Sequence, residues 1–188
     1  MGTDLKDYIR TYDSVFTRDF CDATIEAFSK SDSIYLDREQ RPSYTHLNIS
    51  QRFHAQDPLW MGIQRKLSDD FTKVLRQYIQ DVDMIPDLPV KYGYEEFRMK
   101  KYENNNYDEF RPHVDVGDHA TARRFLVVFL YLNDVEEGGE TDFPKLGVSI
   151  KPECGKILVF PPTWQYRHAG KIPVSNDKYI IGSYLHYQ

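Results

Sequence analysis

Cysteine is nearly missing from this chain: its 188 residues include two, Cys21 and Cys154. So few exclude a disulfide framework, and the pair lacks the spacing of a zinc site or a thiol redox motif. The expected setting is a reducing cytoplasm, that of the host cell if the chain is virus-encoded. Long apolar runs are also missing. The longest, Phe125 to Leu132, is eight residues, against the roughly 18–20 that a membrane span needs. Met1 to Arg10 holds acidic residues and none of the apolar stretch of a secretory leader. No membrane association is expected. Positive charge is in deficit, since 24 Lys and Arg face 29 Asp and Glu for a formal net charge of −5. No general attraction to nucleic acid is therefore built in. Internal repeats and low-complexity tracts are absent as well.

What the chain has in quantity is aromatic surface, with 14 Tyr and 11 Phe, side chains that fit a pleated sheet. The length suits one domain with a real core. Two helices are expected before residue 90. Thr17 or Asp19 can cap the first, over Phe20, Thr24, Ala27 and Phe28. The second and longer one opens at Asp57-Pro58 and steps by four through Ile63, Leu67, Phe71 and Leu75. After the cluster Ile85-Pro86-Asp87-Leu88-Pro89 the pattern changes to short Val-, Ile-, Phe- and Tyr-rich segments. Eight strands are expected, at 92–102, 111–116, 122–132, 139–143, 147–151, 155–161, 166–172 and 177–187. Helices first and strands afterwards predict an α+β chain, mainly β: a double-stranded β-helix, or jelly-roll, core with N-terminal supporting helices. Residues 1–188 form one domain in this reading, with 1–89 mainly helical support and 90–188 the jelly-roll core.

His113-Val114-Asp115 places an imidazole and a carboxylate on one face of an extended strand. Taken alone this pair also describes a solvated strand end. His168 offers a third ligand from a separate strand that a jelly roll can fold back beside the first. Two His and one carboxylate form the facial triad that suits a non-heme Fe(II) with open positions for a cosubstrate and O2. Lys178, ten residues on, is either an ordinary strand-edge lysine or a buried cation in need of an anion. A dicarboxylate such as 2-oxoglutarate would meet that need, with hydroxyl donors from Tyr131 and Tyr102.

The ordered run His113-x-Asp115, Arg124, Tyr131-Leu132-Asn133-Asp134, Gly138-Gly139-Glu140-Thr141-x-Phe143-Pro144, Val148-x-Ile150-x-Pro152, Gly155-x-x-Leu158-Val159-Phe160, His168-Ala169-Gly170 and Lys178 resembles the core of the Fe(II)- and 2-oxoglutarate-dependent dioxygenases. The resemblance is to the prolyl 4-hydroxylase-like branch. It implies that His113, Asp115 and His168 hold Fe(II) and are the catalytic centre, that Lys178 binds the distal carboxylate of 2-oxoglutarate with help from Tyr131 and Tyr102, and that ascorbate serves as reductant. Asp115 implies hydroxylation, because halogenating members generally lack this carboxylate. Val127 stands where many relatives have a threonine, and Tyr184 where collagen-type enzymes have tryptophan. The implied substrate is a prolyl residue of a peptide or protein, the alternative being a free amino acid or other small molecule. A non-catalytic binding module is disfavoured by the complete triad, and a nucleobase substrate by the negative charge. No oligomeric state is implied.

Four positions carry two readings each. Arg124 is a buried ion-pair partner for Glu140 or a substrate contact. Trp164, in the loop before His168, lines a substrate mouth or packs beside Pro161-Pro162. Gly138-Gly139 permits a tight approach into the next strand or is simply a bulge or hairpin end.

Overall fold

Helix α1, Arg18–Ser29, begins where Thr17 Oγ1 accepts the Phe20 amide, and α3, Pro58–Asp81, begins where Asp57 accepts the Leu59 amide. In both, the capping side chain satisfies an amide that has no partner within the helix. The computed structural model describes residues 4–38 and 42–188. Its strands in chain order are β1 (Arg10–Tyr12), β2 (Ile34–Asp37), β3 (Ser43–Asn48), β4 (Tyr92–Tyr94), β5 (Arg98–Tyr102) and β6 (Phe110–His113). There follow β7 (Arg124–Tyr131), β8 (Thr141–Phe143), β9 (Val148–Ile150), β10 (Ile157–Phe160), β11 (His168–Gly170) and β12 (Lys178–Tyr187). A short helix α2, Ile49–His54, links β3 to α3.

Two antiparallel sheets face each other. The larger runs β1-β10-β7-β12-β5-β3-β2, with β4 on the end of β12, and the smaller runs β6-β11-β8-β9. Strand β7 shows how the layers are held. Leu126, Val128 and Leu130 point to one face, where Trp60, Leu67, Phe71 and Tyr78 of α3 cover them. Val127, Phe129 and Tyr131 point to the other, toward Phe143, Phe160 and the smaller sheet. A strand buried on both faces reads as an unbroken apolar run rather than an alternating one, which is why Phe125 to Leu132 stands out in the sequence. The fold is a jelly roll with helices packed on one outer face.

Two expectations need adjusting. Residues 1–89 supply more than the helices α1, α2 and α3, because β1, β2 and β3 extend the larger sheet at both of its edges. These strands are short, and β3 carries a single strongly apolar residue, Leu47; β1 forms by pairing with β10, β3 by pairing with β5, and β2 by pairing with β3. The strand expected at 92–102 is two strands, β4 and β5. Between them Phe97 turns into the helical core, and its carbonyl accepts the Ile49 amide at 2.9 Å. The other seven strands lie within three residues of their expected ends.

Gly155 ties the N-terminal arm to the barrel. Its carbonyl accepts the Val15 and Phe16 amides, its φ is +80°, and a Cβ there would lie 2.1 Å from the Phe16 carbonyl oxygen. Gly155→Ala is expected to cost about 2–4 kcal/mol through left-handed strain plus the backbone clash. Gly147→Ala is its control, with φ +62° but nothing near its Cβ, and should cost about 1 kcal/mol from strain alone. Urea unfolding of both variants separates the two contributions.

Candidate metal and anion site

The smaller sheet brings the two histidines together by register. His113 ends β6, His168 begins β11, and they face each other across the ladder with ring centroids 4.4 Å apart. Asp115 lies just past the end of β6. Its Oδ1 is 3.5 Å from His113 Nε2 and its Oδ2 is 3.5 Å from His168 Nε2. One ligand atom from each residue falls within 4.8 Å of the other two.

The hydrogen bonds behind the rings decide what they present. His113 Nδ1 donates to the Arg111 carbonyl at 2.8 Å, and His168 Nδ1 donates to the Tyr166 carbonyl at 3.0 Å. Each donation places the proton on Nδ1 and leaves the Nε2 lone pair facing Asp115. Burial pushes the His168 pKa down to about 4, with Asp115 opposing, so the ring is neutral at pH 7. Burial works to raise the pKa of Asp115, but the charged forms of His113 and His168, with the Tyr184 hydroxyl, outweigh it and hold the carboxyl below its usual range in acid; at neutral pH the His168 charge is gone and the carboxylate loses that support. Asp115 Oδ2 is buried with no hydrogen-bond donor. A carboxylate oxygen and two nitrogen lone pairs converge with no proton between them, and a cation is what satisfies such a set. Two imidazoles and one carboxylate fit Fe(II).

Asp115 is braced from behind. Tyr184 donates to its Oδ1 at 2.9 Å, and the Arg124 guanidinium lies 3.8 Å from the Tyr184 ring centroid. Arg124 also donates to the Asp115 carbonyl at 3.2 Å and grips Glu95 with two bonds of 2.9 and 2.8 Å. The ion-pair reading of Arg124 therefore holds with a different partner, Glu95 instead of Glu140. Strand β12 brings this about, because the Glu95 amide pairs with the Tyr184 carbonyl and so lies beside the start of β7. Phe129, Phe143 and Phe160 wall in the His168 ring, and Phe110 stacks on His113 at 3.6 Å.

Deeper in the same chamber lies Lys178, 2% exposed. Its Nζ donates to the Gly139 carbonyl, with the rings of Tyr102 and Tyr131 at 5.5 and 5.6 Å. Burial pushes its pKa down to about 7, and Glu140 pulls it back up. Among the described residues no carboxylate pairs with it, so the strand-edge reading fails and the buried-cation reading stands. Tyr131 donates its hydroxyl to Thr141 Oγ1 at 2.6 Å, which sets a hydroxyl pair beside the ammonium. Gly139 is more than a hairpin end, since at φ +72° it turns a carbonyl onto Lys178.

Trp164 is 68% exposed and borders neither the chamber nor the cleft outside it. Its neighbour Tyr166 is the buried aromatic of that turn. Two further polar residues line the chamber: Thr141, which the sequence reading quoted without giving it a role, and Lys100, which it missed. Lys100 shares the inward face of β5 with Tyr102, and period-two counting back from Tyr102 would have found it. Burial pushes its pKa down to about 8, with Asp115 opposing, so it is largely protonated at neutral pH. The cleft outside the chamber is open, with a volume of about 970 Å³.

The 2OG-Fe(II) oxygenase superfamily model matches residues 97–186. Among curated proteins, probable prolyl 4-hydroxylase 11 of Arabidopsis thaliana is 31% identical over 105 residues, covering 52% of this chain and 35% of the relative. Probable prolyl 4-hydroxylase 3 of the same plant is 28% identical over 156 residues, covering 65% of this chain and 51% of the relative. The chain thus spans between about a third and a half of the length of these relatives. Among solved structures, the viral collagen prolyl hydroxylase of Paramecium bursaria Chlorella virus-1 aligns with a TM-score of 0.66 at 21% identity, covering 100% of this chain and 99% of the other. A prolyl hydroxylase of Trichoplax adhaerens, solved with a hypoxia inducible factor peptide fragment, aligns at 0.72 and 14% identity, covering 96% and 84%. These structures share the jelly roll. Together with that shared fold, the family model and the curated relatives support a 2OG-Fe(II) oxygenase similar to the prolyl 4-hydroxylases.

Proposed function

We propose that this chain is an Fe(II)- and 2-oxoglutarate-dependent hydroxylase that acts on prolyl residues of a peptide or protein, with ascorbate as reductant. One observation carries the reading. The bare Asp115 Oδ2 between two imidazole lone pairs shares a chamber with a buried lysine that has no carboxylate partner among the described residues. One half of the chamber calls for a cation and the other for an anion.

His113, Asp115 and His168 would hold the iron. When bound, the iron supplies the oxidation, in which O2, 2-oxoglutarate and substrate become CO2, succinate and hydroxylated product. The remaining work belongs to the chain. Lys178, with the Tyr131–Thr141 hydroxyl pair, supplies the charge and donors for the distal carboxylate of 2-oxoglutarate. Arg124 and Tyr184 keep Asp115 in place, and the phenylalanine wall keeps water from His168. Phe110 and Phe129 line both chamber and cleft, an apolar approach that suits a pyrrolidine ring. The open cleft has room for a peptide, and the Trichoplax relative is solved with one.

The test is succinate release over proline-containing peptides and free amino acids, with Fe(II) and ascorbate present, followed by mass spectrometry. The expected result is succinate equal to product, each product heavier by one oxygen atom. A free amino acid as the sole substrate would move the substrate class and keep the chemistry. Absence of 2-oxoglutarate consumption and of its binding would sink the reading.

A further inference from the structure

Strand β5 turns Tyr102, Lys100 and Arg98 inward, from the depth of the barrel to its mouth. Tyr102 borders only the chamber and Arg98 only the cleft, whereas Lys100 borders both. Arg98 is paired with Glu96 at 2.7 Å. Lys100 is held differently. Its Nζ lies 4.8 Å from the Tyr44 ring centroid and 5.4 Å from that of Phe110, the ring stacked on His113. Aromatic faces position an ammonium but do not accept its hydrogen bonds as a carboxylate would. Among the described residues none accepts a hydrogen bond from Lys100 Nζ. The charged or titratable groups around it are Arg98 on its own strand, His46 across the ladder on β3, Arg124 of β7, Lys178 of β12, His168 of β11, and Asp115. Asp115 is the one anion of that group, and it serves the metal site.

Charge balance says what is missing. A divalent ion, the Asp115 carboxylate, a dianionic cosubstrate and the Lys178 ammonium cancel. Lys100 is then one positive charge in excess, at the boundary through which substrate must reach the metal. A low-dielectric site with an excess charge favours a ligand that brings the opposite one. We propose that Lys100 is a specificity-determining residue that receives a carboxylate of the substrate, so that the preferred substrate is negatively charged close to the carbon that becomes hydroxylated. The inference rests on the oxygenase reading and deepens it to a substrate class. The carboxylate can be that of a C-terminal or free amino acid, or of an acidic side chain next to the target residue.

The experiment uses full-length protein with Mn(II) and 2-oxoglutarate, a combination that binds without oxidative turnover, and reads affinity by calorimetry. The probes are two matched pairs: N-acetylproline with N-acetylprolinamide, and acetyl-Pro-Glu-amide with acetyl-Pro-Gln-amide. In the natural chain the acid of one pair should bind at least about tenfold tighter than its neutral partner, as a close charge pair allows. Which pair responds identifies the source of the carboxylate. The preference should vanish in Lys100→Met and return in Lys100→Arg. The affinity of Lys100→Met for 2-oxoglutarate should stay within about threefold of the natural value, which also shows that the variant folds. The proposal is overturned if neither acid outbinds its partner, if the preference survives Lys100→Met, or if that variant loses 2-oxoglutarate affinity about tenfold, since Lys100 would then serve the cosubstrate. Failure of the natural chain to bind Mn(II) and 2-oxoglutarate would remove the oxygenase reading itself, and this inference with it.

Discussion

Asp115→Asn should leave the metal-free protein at least as stable as the natural chain while lowering its metal affinity by more than about hundredfold and abolishing turnover. The two effects separate because the carboxylate is costly to the empty fold. Asp115 is 8% exposed, its Oδ2 has no donor, and two imidazole lone pairs face it at 3.5 Å. A buried ion without a counter-ion carries a penalty of about several kcal/mol. An amide of the same shape removes that charge, can donate to one Nε2, and still accepts from Tyr184. His168→Ala is a poorer test. It opens a hole among Phe129, Phe143 and Phe160 and should cost about 2–4 kcal/mol of stability besides the ligand. Thermal melts with and without Mn(II) read the result. At a metal concentration of 100 times the dissociation constant the natural chain gains about 2.7 kcal/mol, and Asp115→Asn should gain almost none. A normal metal-induced rise in the variant would show that Asp115 is not a ligand.

The triad was legible in the sequence because strand geometry is regular. Alternation placed His113 and Asp115 on one side, and an antiparallel return brought His168 opposite His113. The long helix α3 was equally plain, since Asp57-Pro58 marks its start and the four-residue step its buried face. What stayed hidden depends on contacts between distant segments. Strands β1 to β3 are too short to announce themselves, and exist as edges of a sheet whose centre is β7 and β12. The partner of Arg124 was misread because Glu95 reaches it through the pairing of Tyr184 and the break at Phe97, neither of which leaves a local pattern. Lys100 was overlooked for a different reason. In Arg98-Met99-Lys100-Lys101-Tyr102 the charges suggest a solvated strand, yet Met99 faces the helices and Lys100 the barrel. Local rules expect such a residue to lie outside, and the conflict coincides with the site.

Lys178→Met should stabilise the cosubstrate-free protein and cost more than about hundredfold in 2-oxoglutarate affinity, because breaking a buried charge pair costs about 3–5 kcal/mol. The natural chain should show the same physics through pH. Burial pushes the Lys178 pKa from 10.5 down to about 7 in the folded protein, so between these values the unfolded chain binds a proton that the folded chain does not. The contribution of Lys178 to stability therefore rises with pH across that window, and its penalty is full below about 7. The difference in unfolding free energy between Lys178→Met and the natural chain isolates this group, and should shrink as pH rises from 7 toward 10. Anion binding has the opposite slope. A carboxylate needs the protonated amine, so the apparent dissociation constant for 2-oxoglutarate should climb about tenfold per pH unit above 7 and level off below it. Calorimetric titrations of the Mn(II)-loaded protein from pH 6 to 9 test the slope directly. An affinity that stays flat across this range would mean that Lys178 keeps its proton despite burial, or that the distal carboxylate is held elsewhere; retention of the affinity by Lys178→Met would select the second.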